Sequence, residues 1–397
     1  MGGIAKLLGP CCGMRDSDIS RNWAAPVLGR ALSVALAGLI AVGMFAGSPA
    51  TAQEAAPPPP PEKIVLQLRW EHQAQFAGYY AAVWQGYYAD AGFDVEVRSA
   101  FPEGGRVNPI EEVLQGRADF GIGAADVLVA IDGGAPLRIA SPVFQQSGFG
   151  LISRVYSRVA SPADIVGMAV MRPNSDLARA EFDAVLAAEG IDPSKIRWVD
   201  GMPGTGPTLL ENRTIDAYFT FWPAGNWLVK NLGLPGALLR PSAYGVDFYG
   251  DAIFTSEQLA EQNPELVQRF IDASLKGWEF ALTHPDAIAD RIATDLVRAA
   301  PVPKPQLFNR SMLNEIGLVV LHYPEIPLGH SNPDRWASMF GVLSRAGLVD
   351  GNFKYLDYVF DPAARDAVQR TTLFQILGAA LVAALAFAGG ILAWSWT

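Results

Sequence analysis

The stretch LQLRWEHQAQFAGYYAA, residues 66–82, decides how the chain is read. It leaves an apolar run with strand periodicity that starts at Ile64, and its last seven residues open an apolar stretch of helical character. At the junction it presents Trp70, Glu71, His72, Gln73, Gln75, Phe76, Tyr79 and Tyr80. Aromatic rings offer flat apolar walls, and amides and an imidazole offer hydrogen bonds in fixed directions. A cleft that stacks on and hydrogen-bonds a small heteroaromatic or cationic ligand needs this combination. Aromatic residues also dominate cores, so Trp70, Phe76 and Tyr79 stand equally as ligand walls or as packing.

Working outward, strands are expected at 64–68, 93–97, 118–122 and 137–143, alternating with a helix over 76–91 and with the helical stretches PIEEVLQG and DVLVAIDGG. A second series follows, with strands at 168–171, 196–199, 217–221 and 238–240 and helices near 177–189, 207–211 and 225–231. DAIFTS then returns to a strand, and helical stretches begin at Ser256, Pro264, Pro303 and Asn332. Repeated strand-helix-strand units predict α/β lobes with mostly parallel sheets. The second series is bracketed by GLISR and YGDAIFTS, so it reads as an insertion into the first, with two strands crossing between lobes. Lobe 1 is expected at 63–154 plus 249–362 and lobe 2 at 155–248. Such a hinge encloses a cleft, and open α/β sheets bind ligands beyond the carboxyl ends of their strands.

Three further segments point into that cleft. DFGIGAADVL runs a strand through Gly121 and Gly123 into a helix starting near Ala125, which leaves free amides such as that of Ala124 for a polar ligand group. It is not a dinucleotide fingerprint, because Asp126 occupies the third glycine position and repels a pyrophosphate. Asp126 either pairs with a ligand amine or caps the helix. MAVMRPNSDLARAEF repeats the design, with Asn174 or Ser175 as cap. AYFTFWP places Tyr218, Thr220 and Trp222 at alternating positions of a strand end, and Tyr249 in VDFYGDAIF joins the expected ligand contacts with Gln73 and Gln75. No catalytic residue is assigned. His72, His284, His322 and His330 have neither zinc-motif spacing nor a cysteine partner, and no Gly-x-Ser-x-Gly elbow is present, so no metal and no cofactor are expected.

The ends carry addresses. Residues 31–47 are apolar, follow Arg15, Arg21 and Arg30, and precede Ala50-Thr51-Ala52, the small-x-small form of a signal-peptidase site; 1–52 reads as a signal peptide, whether cleaved, started at Met14 or retained as an anchor. Five prolines make 53–62 an extended spacer of about 15 Å. Residues 373–394 are uncharged and, as a helix, span about 33 Å, the length of a transmembrane segment. No Lys or Arg follows it, which suits a tail anchor or a lost cytoplasmic portion. Both cysteines, Cys11 and Cys12, precede the signal core, so the exported part has no disulfide and no thiolate site. The net charge of -10 without a basic face argues against nucleic acid as partner.

With these residues in view, the chain resembles the thiamine-pyrimidine-synthase-like family of type 2 periplasmic binding proteins over about 63–362. The likeness rests on LQLRWEHQAQFAGYYAAVWQGYYADAGFDVEV, EEVLQGRADFGIGAADVLVA, GAPLRIASPVFQQS, YGVDFYGDAIFTS and GHSNPDRW, the last two resembling the subgroup of extracytoplasmic sensor modules. The resemblance implies two lobes on a two-strand hinge. It also implies a periplasmic protein held to the inner membrane by its C-terminal helix, binding a small nitrogenous ligand akin to thiamine pyrimidine precursors. The implied partners are an ABC permease or a fused signalling domain. Fungal members are instead synthases that make the pyrimidine from a histidine of their own and pyridoxal phosphate, using iron. Here Gly123 and Val127 align with the cofactor lysine and sacrificial histidine, and VDFYGDAIF has none of the cysteines of the iron motif. The synthase reaction is the alternative reading, without its reactants.

Overall fold

The computed structural model describes residues 60–395 apart from 104, 158, 174, 203, 235, 297, 299–301 and 322–323. The signal peptide, the spacer up to residue 59, Asn174 and His322 lie outside the described residues. Among the described residues there are ten strands: β1 (Glu62–Gln67), β2 (Phe93–Arg98), β3 (Phe120–Gly123), β4 (Leu137–Pro142), β5 (Phe149–Arg154), β6 (Ala169–Met171), β7 (Arg197–Val199), β8 (Ala217–Phe221), β9 (Gly236–Leu239) and β10 (Ala252–Ser256).

They form two five-stranded sheets of matching design, β2-β1-β3-β10-β4 and β7-β6-β8-β5-β9. In each, one strand runs against the others: β10 is antiparallel to β3 and β4, and β5 to β8 and β9. The expectation of mostly parallel sheets therefore holds for β1, β2 and β3 and for β6, β7 and β8, with one reversed strand per sheet. That reversed strand is exchanged. β5, grouped by sequence with the first lobe, pairs in the second sheet, and β10, which follows the second series, returns to the first. Segments 143–148 and 246–251 thus run between the sheets. They are tied together by hydrogen bonds from the Val143 and Phe144 amides to the Asp251 carbonyl (2.9 and 2.8 Å) and from the Gly250 amide to the Phe144 carbonyl (3.0 Å).

The helix expected over 76–91 is broken. A 3-10 turn at Ala74–Phe76 leads into the helix Ala77–Trp84, and Gly86 at φ 78° separates it from Tyr87–Asp90. That left-handed backbone suits glycine, which has no Cβ to clash. Helix Pro264–Thr283 covers the first sheet with an apolar stripe through Leu266, Val267, Phe270, Ile271, Ser274, Gly277, Trp278 and Ala281, the spacing that keeps one helical face inward. Phe270 stacks between Tyr88 (5.2 Å) and Phe120 (3.9 Å), and Trp278 meets Tyr79 edge-on at 5.9 Å and Phe144 at 5.6 Å.

After the globular part, Pro362–Ser395 is one continuous helix, longer than the expected 373–394. Its stretch Pro362–Ala388 is, among the described residues, the one helix long and apolar enough to cross a membrane, and its most apolar window is wholly exposed.

Helices Ala77–Trp84 and Pro264–Thr283 cross where two glycines meet. A Cβ on Gly277 would lie 2.1 Å from the Gly78 carbonyl oxygen, and one on Gly78 would lie 2.1 Å from Trp278 Cγ. Neither neighbour has room to retreat in a close-packed interior. Gly277→Ala is expected to destabilise the fold by about 1–3 kcal/mol, read as a lower urea midpoint at unchanged m-value.

Candidate functional site

A cleft of 280 Å³ lies between the sheets. From the first sheet's side come Arg69 and Trp70, two and three residues past the end of β1, the lead-in residues Arg106 and Asn108, and Asp126 in the first turn of Ala125–Asp132. The facing wall is Phe149 of β5, Ser175 and Ala178 at the start of Asp176–Ala188, and Phe219, Thr220 and Phe221 of β8. The loops after β1, β3 and β6 all open here, the place where open α/β sheets hold ligands. A smaller cavity of 110 Å³ shares Trp70, Phe219 and Thr220 with it and adds Gln73, Arg172, Tyr218, Arg298 and Phe308. Trp70 is the common wall, with Phe101 edge-on at 5.1 Å and the Arg106 guanidinium 5.5 Å from its ring.

Behind Trp70 runs a buried polar chain. Arg69 Nε donates to Asp251 Oδ1 at 2.8 Å, a second guanidinium nitrogen pairs with the same oxygen, and the cation lies 5.2 Å from the Phe149 ring and 5.9 Å from Phe221. Asp251 Oδ2 accepts from Gln75 Nε2 (2.9 Å), Gln75 Oε1 from Gln73 Nε2 (2.8 Å), and Gln73 Oε1 from Arg298 (2.8 Å). Arg298 also pairs with Glu71 at 3.1 Å and donates to the His72 carbonyl. Gln73, Gln75 and Asp251 are almost fully buried, and each polar end meets a partner, which is what burial of such groups requires. Burial, then the Arg298 charge, lowers the His72 pKa, so its imidazole sits neutral beside the Tyr80 hydroxyl at 2.9 Å.

The NMT1/THI5-like family model matches residues 73–288, more than half of the chain. The chain belongs to the NMT1/THI5-like family. Similar curated proteins are the formylaminopyrimidine-binding protein of Halalkalibacterium halodurans, 24% identical over 284 residues (71% of this chain, 84% of that one), and the riboflavin-binding protein RibY of Chloroflexus aurantiacus, 25% identical over 320 residues (76% and 87%). Among solved structures, the periplasmic aliphatic sulphonate-binding protein SsuA of Escherichia coli matches with a TM-score of 0.56 at 13% identity, covering 76% of this chain and 98% of that one. The fold is that of the periplasmic binding proteins.

Within this NMT1/THI5-like frame the expected ligand residues divide. Trp70, Gln73, Asp126, Ser175 and Tyr218 line the cleft or its extension. Gln75 stands one step behind, holding Asp251. Phe76, Tyr79 and Ala124 are core, with at most 2% exposure. Trp222 is buried, and its amide donates to the Gly148 carbonyl at 2.8 Å. Tyr249 packs on Trp336 (4.5 Å) under the Arg335 guanidinium (4.3 Å) and lines neither cavity. The free amides expected before Ala125–Asp132 are engaged as well: Asp126 Oδ1 accepts from Ala124 (2.8 Å) and Val127 (3.1 Å), the capping alternative. Ser175 Oγ accepts from the Ala178 amide at 3.2 Å and caps its helix. Sequence reasoning missed Arg69, Arg106, Asn108, Phe149 and Arg298. Among the described residues no group of three or more His, Cys, Asp or Glu is placed to hold a metal ion.

Glu181, one turn beyond Ala178, is also unforeseen. It is 1% exposed; Oε2 accepts from Ser147 Oγ of the crossing segment at 2.7 Å, and Oε1 has no hydrogen-bond partner. Burial pushes its pKa up to about 8, with Ser147 and the Arg69 charge pulling it back. The group is therefore protonated at neutral pH, against an unfolded value of 4.5. A raised carboxyl pKa means that stability is fully present below 4.5 and is lost as pH rises toward 8.

Two outcomes follow from these placements. Tyr79→Ala is expected to cost about 3–5 kcal/mol of folding stability, whereas Trp70→Ala stays within about 1–2 kcal/mol of the parent, both read by urea denaturation. Glu181→Gln keeps the shape and the Ser147 bond without the carboxyl proton. Its melting midpoint should exceed the parent's by several degrees at pH 8 and converge with it near pH 4.5.

Proposed function

We propose that the chain is an extracytoplasmic solute-binding protein that closes on a small nitrogenous ligand, akin to thiamine pyrimidine precursors, between its two sheets. One observation carries the reading. The cleft is walled from both sheets and centred on the Trp70 ring, and two relatives covering most of this chain are named for binding flat nitrogen heterocycles, a formylaminopyrimidine and riboflavin. A ring stacked on Trp70 would meet hydrogen-bonding groups from Asn108, Asp126, Ser175 and Thr220 around its edge, the division of labour that gives small-molecule sites affinity and orientation.

In this reading residues 1–52 export the chain, the proline spacer separates it from the signal, and Pro362–Ser395 holds it to the inner membrane. The loaded protein then serves an ABC permease or a signalling domain. The synthase alternative has no support at Gly123, where a Cβ would lie 2.4 Å from Val127 Cγ2, so a reactive lysine has no room in this packing.

The test is a thermal-shift screen of the detergent-solubilised chain against formylaminopyrimidines, aminopyrimidines and riboflavin, with sulfonates and amino acids as contrasts. Ligand at 100 times its Kd stabilises by about 2.7 kcal/mol, which raises the midpoint by a few degrees. A selective rise with one ring class, lost in Trp70→Ala, is the expected result. A rise with sulfonates or amino acids alone would remove the heterocycle reading.

A further inference from the structure

The helix Pro333–Arg345 belongs to neither sheet, yet it and the loop before it contact the second lobe and both crossing segments. It packs on Asp176–Ala188 of the second lobe. At its start, Arg335 pairs with Asp247 of the returning crossing segment at 2.9 Å, and the Tyr249 hydroxyl accepts from the Asn332 amide at 3.0 Å. The other crossing segment reaches the same loop, where Gln145 Nε2 donates to the His330 carbonyl at 2.9 Å. Trp336, fully buried, lies against Tyr249.

From that helix start a hydrogen-bonded line leads to the foot of the apolar helix. Trp336 Nε1 donates to Ser331 Oγ at 2.9 Å, Ser331 Oγ meets the Tyr355 hydroxyl at 3.2 Å, and that hydroxyl reaches Asp361 Oδ2 at 3.3 Å. Asp361 Oδ1 accepts from the Ala364 amide at 2.9 Å and so caps Pro362–Ser395. The chain just before the cap is also fixed to the first sheet: Val359 bridges Ile139 of β4, and the Phe360 amide donates to the Ile139 carbonyl at 2.8 Å. The foot of the helix is thus held on one side by the first sheet and on the other by a loop bonded to both crossing segments.

We propose that closure of the cleft is transmitted through Pro333–Arg345 and the Ser331–Tyr355–Asp361 line to the foot of Pro362–Ser395, so that the chain signals the state of its cleft to the membrane. This deepens the binding reading above and rests on it. When the second lobe rotates, Asp176–Ala188 and the crossing segments shift against β4. The helix bonded to them cannot follow without straining the cap, because close-packed joints pass displacement on rather than absorb it. The cleft then has an output that needs no handover of solute.

The test closes the lobes without any ligand, so it stands apart from the screen above. In the full chain in nanodiscs, with Cys11→Ser and Cys12→Ser, the pair Val107→Cys and Thr220→Cys, drawn from facing walls of the cleft, is joined by a short bis-maleimide. Its amide hydrogen exchange is compared with that of the same pair capped by N-ethylmaleimide. Joining is expected to change exchange about threefold or more over 333–345 and also over 353–365. In Tyr355→Phe, which loses both hydroxyl bonds but keeps the ring, the change should persist over 333–345 and vanish over 353–365. Equal exchange at 353–365 in the joined and capped parent would overturn the proposal, and an undiminished change there in Tyr355→Phe would overturn the route.

Discussion

The arrangement depends on the carboxylate of Asp251. This residue lies at the end of the segment that returns from the second sheet, immediately before β10. Its carbonyl accepts the Val143 and Phe144 amides of the outgoing segment, while its side chain holds Arg69 and Gln75. One residue therefore fixes the two crossings against each other and anchors the segment that forms the cleft's first wall. A buried ion pair adds little net stability compared with an apolar substitute, but loss of one partner strands the other charge at a cost of about 3–5 kcal/mol. The Arg69 cation, set between the Phe149 and Phe221 rings of the second sheet and the Asp251 carboxylate, ties the cleft's first wall to both the crossing segment and the second sheet.

The strand and helix series was legible because it rests on local periodicity. Ala217–Phe221 needs only its own alternation to declare itself, and Pro264–Thr283 only its apolar stripe. The return of β10 to the first sheet follows from the insertion reading, but the pairing of β5 in the second sheet was not legible in the same way. FGLISR and AIFTS are both short, nearly continuously buried strands, and either sheet offers an equivalent slot beside β3 or β8. Which slot each fills is settled by chain direction and by the bonds between the two crossings, contacts that leave no mark within a window of residues. The break at Gly86 was in principle visible, since a glycine inside a helical pattern suggests a stop.

The site was half legible for a similar reason. Aromatic residues were identified, but their sorting between wall and core depends on what lies opposite. Tyr79 is core because Gly78 and Gly277 let two helices approach closely enough to bring Trp278 against it; Trp70 is wall because its strand has ended and its ring borders both cavities. The polar line from Arg69 to Glu71 was invisible although Glu71, Gln73 and Gln75 stand in the opening stretch. Its fixing partners, Asp251 and Arg298, lie far along the chain, and nothing local to either ties it to the opening stretch.

Glu181 shows the opposite compromise. A carboxyl buried with one unpartnered oxygen weakens the fold at neutral pH, and an apolar or amide side chain would avoid the loss. It sits on the helix that packs against Pro333–Arg345 and bonds to the segment that crosses between sheets. In the binding reading proposed above, an interface optimised for one lobe arrangement would shift the equilibrium away from every other arrangement. Asp251, whose carboxylate is fully partnered, and Glu181, whose carboxyl is half-partnered, thus bond to the same crossing segment, the first through its backbone carbonyl at Val143 and Phe144 and the second at Ser147.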